Sequence, residues 1–151
     1  MNLKIPPLVL TCIFIAFMSL LYWLFPQFTL SIPGNTIASS FIAIVATLIS
    51  VVGVASFRNA KTTVNPTKPD QTSFLVIKGV YKISRNPMYL SFLLFLIAWG
   101  LYLAHSLSLL LLPAVFVVYM DKYQIPAEEE ALHRKFGEHF LNYKNMVRRW
   151  L

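Results

Sequence analysis

Two long stretches of this 151-residue chain contain no Asp, Glu, Lys or Arg, and they limit what the chain can fold into. They run from Ile5 to Phe57 and from Asn86 to Met120. Because 57% of its residues are hydrophobic, the chain has more apolar surface than a soluble domain of this size could cover with polar groups. We therefore expect a single integral-membrane domain over residues 1–151.

The first charge-free stretch contains two candidate membrane spans, at about residues 7–25 and 36–57. A spanning helix needs roughly 20 apolar residues, and the second stretch is too long for one ordinary span. Divided near His105, it gives shorter spans at about residues 87–104 and 107–121. The predicted fold is an all-α membrane protein with four transmembrane helices, of which the third and fourth form a helical hairpin.

The basic residues predict the orientation of these spans. They lie near the start of the chain, between Arg58 and Arg85, and after Met120, whereas the turns on the opposite side carry no charge. Loops on the cytoplasmic side carry the excess of Lys and Arg. We expect both termini in the cytoplasm, the first span uncleaved, and an inner membrane if the source is bacterial. The excess of Lys and Arg in the cytoplasmic segments accounts for the net charge of +7, so we predict no nucleic-acid partner.

The charged segment that ends the chain has the pattern of a surface helix. Pro126 suits a first helical position, and Glu128, Glu129 and Glu130 would occupy the first turn. Gly137 should weaken such a helix by about 1 kcal/mol. We predict a C-terminal amphipathic helix at the cytoplasmic surface of the membrane. Its apolar face has helical spacing and consists of Leu132, Phe136, Phe140 and Tyr143.

The residues that open the third span combine a helix start with two polar side chains. Asn is a favoured N-cap and Pro a favoured first helical residue, so the helix should begin at Asn86-Pro87. Arg85 can reach the lipid headgroups, and Tyr89 fits the aromatic belt of a membrane protein. Because the hairpin returns the chain to the same face, these residues should lie near the three glutamates of the amphipathic helix.

Two segments resemble the integral-membrane methyltransferases typified by isoprenylcysteine carboxyl methyltransferase, which share their architecture with phospholipid N-methyltransferases. They are SFLVIKGVYKISRNPMYLSF and IPAEEEALHRKFGEHFLNYKNMVRRWL. The family has L-V-x-x-G-x-Y, R-H-P-x-Y and E-E-x-x-L-x-x-x-F-G-x-x-Y-x-x-Y. The matching residues, in order, are Leu75-Val76, Gly79, Tyr81, Arg85, Pro87, Tyr89, Glu128-Glu129, Leu132, Phe136-Gly137, Phe140 and Tyr143. Asn86 stands where the family has His, and Ser91 where it has Gly.

The resemblance covers about residues 73–149 and implies an S-adenosylmethionine-dependent methyltransferase that takes a lipophilic or lipidated substrate from the bilayer. Arg85 and Glu129 are the predicted catalytic residues, as a cation for a carboxylate substrate or a base for an amine. Gln124 is the predicted substrate-binding residue. Relatives that methylate prenylcysteine have a substrate-binding Arg at this position, so the Gln favours lipid amines or other amphiphiles as substrates over a prenylcysteine carboxylate. The implied cofactor-binding residues are Ser73, Phe74, Leu75, Val76, Tyr81, Asn86, Pro87, Met88, Tyr89 and Glu128.

Other classes of function find less support in the sequence. The five glycines are too scattered for a Rossmann-type site. The three histidines lack metal-ligand spacing, and His105 falls in a loop on the side away from the cytoplasm, so no metal site is predicted. Three alternatives remain open: a non-catalytic membrane scaffold or lipid-binding protein with the same fold, a phospholipid or other lipid-amine N-methyltransferase, and a nicotinamide-dependent sterol-type reductase.

Overall fold

The computed structural model describes residues 5–60 and 74–151, and within these ranges the chain is helical without a β-strand. Lys4 and Ser73, including the predicted cofactor contact of Ser73, lie outside the described residues. Five helices of nine or more residues occur in these described ranges. They are α1 (Pro7–Leu24), α2 (Asn35–Asn59), α3 (Pro87–Tyr102), α4 (Leu107–Phe136) and α5 (Glu138–Met146).

Three of these helices, α1, α2 and α4, are long and apolar enough to cross a membrane, which fits a multi-pass membrane protein. The predicted first and second spans correspond closely to α1 and α2. Helix α3 begins at Pro87 as predicted but has only 16 residues. At that length it measures about 24 Å, less than the roughly 30 Å of a hydrocarbon core. The predicted fourth span, residues 107–121, lies within α4, whereas the predicted third span, and with it the total of four, stays a prediction.

Helix α3 lies at the centre of the bundle. Its Leu96 is fully buried together with Met18 of α1 and Phe116 of α4, and these side chains form part of one hydrophobic core. The outward faces of α1 and α2 instead expose large apolar side chains such as Phe17 and Phe41. Exposing these apolar faces to water would cost free energy. Contact with lipid would not, because lipid tails are as apolar as the side chains themselves.

Small residues allow α3 to approach its neighbours closely. A Cβ atom on Gly53 of α2 would lie 3.3 Å from Cγ of Met88, and one on Gly100 of α3 would lie 2.7 Å from Cα of Leu109. Ser91, which replaces the Gly of the related methyltransferases, is fully buried in α3. Close helix contacts through small residues are the usual way in which membrane helices associate.

A buried polar group joins α1 to the turn between α3 and α4. The sequence places His105 in a loop, and the structure does so too, but the side chain is fully buried. Its Nε2 lies 3.1 Å from the carbonyl oxygen of Phe25, and its Nδ1 lies 2.8 Å from Oγ of Ser108. The Ser108 hydroxyl in turn donates to the carbonyl of Met18 at 3.0 Å. We call these four residues the His105 end.

Helix α4 continues past the position where the sequence predicts a new helix. Gln124 and Ile125 keep right-handed helical dihedrals, so the predicted start at Pro126 is wrong and the three glutamates do not lie at a free helix N-terminus. A π-helical turn at Met120–Gln124 precedes the proline, and in it the Ile125 N–H donates to the carbonyl of Met120. Gly137 does more than weaken the helix. With φ of 52° it ends α4, and α5 follows.

Candidate active site

The start of α3 is fixed by the end of the chain. Pro87 is the first helical residue as predicted, but the Asn86 side chain makes no cap hydrogen bond, so that part of the prediction is wrong. Its Nδ2 donates instead to the carbonyl oxygen of Arg149 at 3.0 Å. The backbone N–H of Arg85 likewise donates to the carbonyl of Arg148 at 3.0 Å. The C-terminal tail is therefore bonded directly to the two residues that precede α3.

Three predicted site residues from α3 and α4 form one hydrogen-bonded cluster. The Tyr89 hydroxyl donates to Oε1 of Glu128, and Nε2 of Gln124 donates to the same oxygen at 2.6 Å. Tyr89 and Gln124 are buried, and Glu128 is partly buried. Both partners of this carboxyl group are neutral donors. Within the described part of the chain, Glu128 has no ion pair with Lys or Arg.

The predicted catalytic pair also meets, within a second cluster. Nη2 of Arg85 lies 3.0 Å from Oε1 of Glu129, and both side chains are largely buried. Glu129 additionally pairs with Lys144 at 3.2 Å and accepts hydrogen bonds from Nε and Nη2 of Arg149, each at 3.1 Å. A carboxylate that faces three cations keeps its negative charge and accepts a proton poorly. The geometry therefore suits Glu129 to holding Arg85 rather than to acting as a base.

The tail residues of this second cluster were not among the predicted site residues. Arg149 also contacts Asp121 at 3.2 Å, and the indole N–H of Trp150 donates to the same Asp121 oxygen at 3.1 Å. Hydrogen bonding to Glu129 raises the pKa of Arg149 above its ordinary value. The sequence offers one signal for this arrangement. Trp150 directly follows two arginines, and because Trp side chains are highly buried on average, it favours packing of this segment over full solvation.

Tyr81 and Tyr143 join the segment before α3 to the C-terminal helix. The Tyr143 hydroxyl donates to the Tyr81 carbonyl at 2.7 Å, and the Tyr81 ring contacts Phe57 of α2 edge-to-face with 5.4 Å between ring centroids. Burial raises the pKa of both tyrosines above their ordinary value, and for Tyr81 the neighbouring Tyr143 and Glu128 add to the effect. Both hydroxyl groups therefore stay protonated at neutral pH.

A cavity of about 560 Å³ lies between the end of α2 and the segment that leads to Tyr81. Its volume falls within the roughly 300–1,000 Å³ of small-molecule sites. Three predicted cofactor residues, Phe74, Leu75 and Val76, line it, together with Ser56, Asn59, Ala60, Ile77, Lys78 and Gly79. Tyr89 and Glu128 do not belong to its lining. The predicted cofactor residues thus form two groups, with Tyr81 following directly on the cavity segment.

No group of three or more His, Cys, Asp or Glu side chains that could hold a metal ion occurs among residues 5–60 and 74–151. The site at this end of the α3–α4 hairpin is instead built from tyrosine, amide, carboxyl and guanidinium groups. We call Arg85, Tyr89, Gln124, Glu128 and Glu129 the Arg85 end.

A helical membrane protein with a polar cluster at one end of its central hairpin is the class that the fold and site define. The family model for phospholipid methyltransferases matches residues 34–139. The chain belongs to this family, which confirms the resemblance to membrane methyltransferases found in the sequence. The matched range includes the whole Arg85 end, whereas Lys144 and Arg149 lie beyond it. Membership implies methyltransferase activity at the level of the family.

An uncharacterized protein from Haemophilus influenzae is also similar. It is 47% identical to this chain over 64 residues, which amount to 42% of this chain and 100% of that protein.

Proposed function

We propose that this protein is an S-adenosylmethionine-dependent methyltransferase that acts on a lipophilic molecule dissolved in the membrane. The family supplies the class of reaction. The observation that carries the proposal is the position of Glu128, a partly buried carboxyl group held by Tyr89 and Gln124 without a cationic partner among the described residues. Such a group is suited to receiving a cationic ligand.

The residues present fit this cofactor. Its amino group could donate charge-assisted hydrogen bonds to Glu128, and the faces of Tyr81 or Tyr89 could attract its sulfonium charge. The cavity beside Phe74–Val76 has room for a nucleoside-sized group and a mostly apolar lining. When bound, the cofactor supplies an activated methyl group, so the protein needs to provide position and a dry environment rather than covalent chemistry.

The remaining predicted residues have distinct roles in this proposal. Arg85 orients the methyl acceptor, and Glu129 holds the Arg85 side chain in place through their 3.0 Å contact. Gln124 acts through Glu128, to which its amide nitrogen is already bonded, rather than through the substrate. Asn86 secures the tail through Arg149 and in this way fixes the start of α3. Substrate enters laterally from the bilayer, and both termini face the cytoplasm.

A phospholipid or other lipid amine is the acceptor that the family description favours. Gln124 is consistent with a lipid amine as acceptor. The methyltransferases that act on prenylcysteine have an Arg at this position to bind the substrate carboxylate, and this chain does not.

Binding of S-adenosylmethionine and of its demethylated product to detergent-purified protein tests the proposal directly. We expect saturable binding of both at micromolar to submillimolar concentration, followed by transfer of a labelled methyl group into a fractionated lipid extract. Absence of binding at millimolar cofactor, in protein shown by circular dichroism and gel filtration to be folded, would rule out the enzyme. Binding without transfer to any lipid fraction would favour a non-catalytic protein that retains the fold.

A further inference from the structure

A single side chain of the C-terminal tail, that of Arg149, bonds to two carboxylates of α4. Its Nη1 lies 3.2 Å from Oδ1 of Asp121, and its Nε and Nη2 each donate to Glu129 at 3.1 Å. The indole N–H of Trp150 donates to the same Asp121 oxygen at 3.1 Å, and its ring packs against the hydrophobic core. Asp121 thus accepts hydrogen bonds from two adjacent tail residues. We call Asp121, Arg149 and Trp150 the tail contact.

Asp121 lies in a turn of α4 whose backbone hydrogen bonding departs from that of a regular α-helix. Pro126 has no N–H to donate to the Lys122 carbonyl, and in a regular helix its ring would clash with that carbonyl. The Ile125 N–H donates instead to the Met120 carbonyl, in the π-helical turn described above. A turn that lacks a backbone hydrogen bond opens more easily, so contacts from outside the helix contribute more to its geometry.

The π-helical turn sets the direction of the glutamates of the site. In a regular α-helix, two residues eight positions apart lie about 80° apart around the helix axis. The π-helical turn absorbs one extra residue, so Asp121 and Glu129 come to nearly the same face of α4. One guanidinium group, that of Arg149, can therefore bond to both carboxylates. Glu128, which bonds to Tyr89, directly precedes Glu129, so a change in this turn would move both glutamates.

We propose that Arg149 and Trp150 are positioning residues of the active site. Through Asp121 they hold the π-helical turn in the geometry that directs Glu128 and Glu129 towards α3. This inference rests on the proposed function, in which Glu128 receives the cofactor amino group. The hydrogen bonds of Glu128 are with Tyr89 and Gln124, so Arg149 and Trp150 act through other side chains. Both tail residues lie beyond residue 139, where the family match ends.

Hydrogen exchange of the full-length protein in a maltoside detergent, followed by mass spectrometry, tests the tail contact independently of activity. We expect Arg149→Gln to speed exchange of the backbone N–H groups of residues 120–128 roughly 10-fold, because the turn opens more often, and to leave exchange in α2 unchanged. Arg134→Gln is the matched control, because Arg134 is 61% exposed and pairs with Glu130. Unchanged exchange of residues 120–128 in Arg149→Gln would overturn the inference.

Measurements of rate and affinity then separate a positioning role from stability alone. At saturating cofactor, we expect Arg149→Gln to transfer a labelled methyl group roughly 10- to 100-fold more slowly, because a displacement of about 1 Å in an active site can have an effect of this size. Arg149→Lys keeps the charge but lacks the fork of donors, so it should restore the rate only in part. Faster exchange with an unchanged rate and unchanged cofactor affinity would make the tail contact purely structural and overturn its positioning role.

The same measurements distinguish failure of this inference from failure of the proposed function. If the unmodified protein binds no cofactor, while Arg149→Gln still speeds exchange of residues 120–128, the tail contact stands and the proposed function fails. If Arg149→Gln binds cofactor and transfers methyl groups as well as the unmodified protein does, the proposed function stands and the inference fails.

Trp150→Phe keeps the test decisive if Arg149→Gln does not fold. Phenylalanine keeps an aromatic ring against the core but has no N–H to donate to Asp121. We expect this variant to unfold at nearly the same temperature as the unmodified protein, with several-fold faster exchange of residues 120–128 and several-fold weaker cofactor binding. Equal exchange in Trp150→Phe and the unmodified protein would contradict a role for the indole N–H.

Discussion

The two ends of the α3–α4 hairpin both contain buried polar side chains, but they satisfy them differently. At the His105 end, both ring nitrogens of His105 have a partner, and the network ends on carbonyl oxygens of α1 and the residue that follows it. At the Arg85 end, side chains bond mainly to side chains, and two nitrogens of Arg85 have no partner among the described residues. A fully satisfied network fixes a structure, whereas an incomplete one is suited to binding a ligand.

The largest expected loss of stability comes from removing the hydrogen bonds of the His105 end. His105→Ala would leave the carbonyl of Phe25 and the hydroxyl of Ser108 without this partner, and we expect it to destabilise the protein by about 3 kcal/mol. The apparent melting temperature in detergent should fall by several degrees, while cofactor affinity of the folded fraction stays the same. His133→Ala, at an exposed position of α4, should change neither quantity. A specific loss of cofactor affinity in His105→Ala would make the His105 end part of the site.

The next effect concerns the incomplete end. Glu128→Gln keeps an acceptor for Tyr89 but removes the negative charge, and a hydrogen bond to a charged group contributes about 1.5–3 kcal/mol. We therefore expect affinity for S-adenosylmethionine to fall roughly 10- to 100-fold, as measured by calorimetry, with little change in melting temperature. Glu130→Gln makes the same chemical change two residues along α4, on a side chain that is 68% exposed. Equal cofactor affinity in the two variants would contradict the placement of the cofactor amino group.

The sequence predicts the lipid-facing part of the fold best, because the length of a charge-free segment is a strict requirement in a bilayer. The residues 7–25 and 36–57 expected from this rule become Pro7–Leu24 and Asn35–Asn59. The rule is less informative for α4. Pro126 followed by glutamates has the pattern of a helix start, yet the π-helical turn before it lets the helix continue.

The candidate site is predictable where local pattern and topology are sufficient. A hairpin that starts at Pro87 and returns beyond Met120 is enough to bring Tyr89 to Glu128, and the structure contains this contact. The tail contacts depend on tertiary packing instead. Arg149 reaches Asp121 from 28 residues away because Gly137 redirects the chain, and neither the direction of that turn nor the loss of the Asn86 cap is encoded locally.

A smaller effect tests how closely the helices approach at each end. A methyl group on Gly100 would lie 2.7 Å from Cα and 3.0 Å from N of Leu109, so Gly100→Ala should destabilise the protein by about 2 kcal/mol. Gly53→Ala is the matched control towards the Arg85 end. Its methyl group would meet the flexible Met88 side chain at 3.3 Å and the Tyr81 hydroxyl at 3.9 Å, and the change should be nearly neutral because Ala favours a helix by about 1 kcal/mol. Equal melting temperatures of the two variants would contradict the difference in packing.

The smallest expected effect concerns Ser91, the residue that replaces the Gly of the related methyltransferases. Its hydroxyl donates to the Met88 carbonyl at 2.7 Å and lies 2.6 Å from Oγ of Ser50 on α2. Hydrogen bonds between membrane helices contribute about 0.6 kcal/mol on average, so Ser91→Ala should lower the melting temperature by no more than a few degrees. Ser40→Ala, which removes only a bond within α2, should have no effect.

A double-mutant cycle with Ser50→Ala then measures the coupling between the two hydroxyl groups. If Ser91→Ala instead abolished cofactor binding in folded protein, Ser91 would belong to the binding site. The binding site would then extend along α3 beyond the residues of the Arg85 end. A small loss of stability with unchanged affinity keeps that division between Tyr89 and Ser91, because a satisfied hydroxyl pair inside the bundle contributes packing and leaves no donor for a ligand.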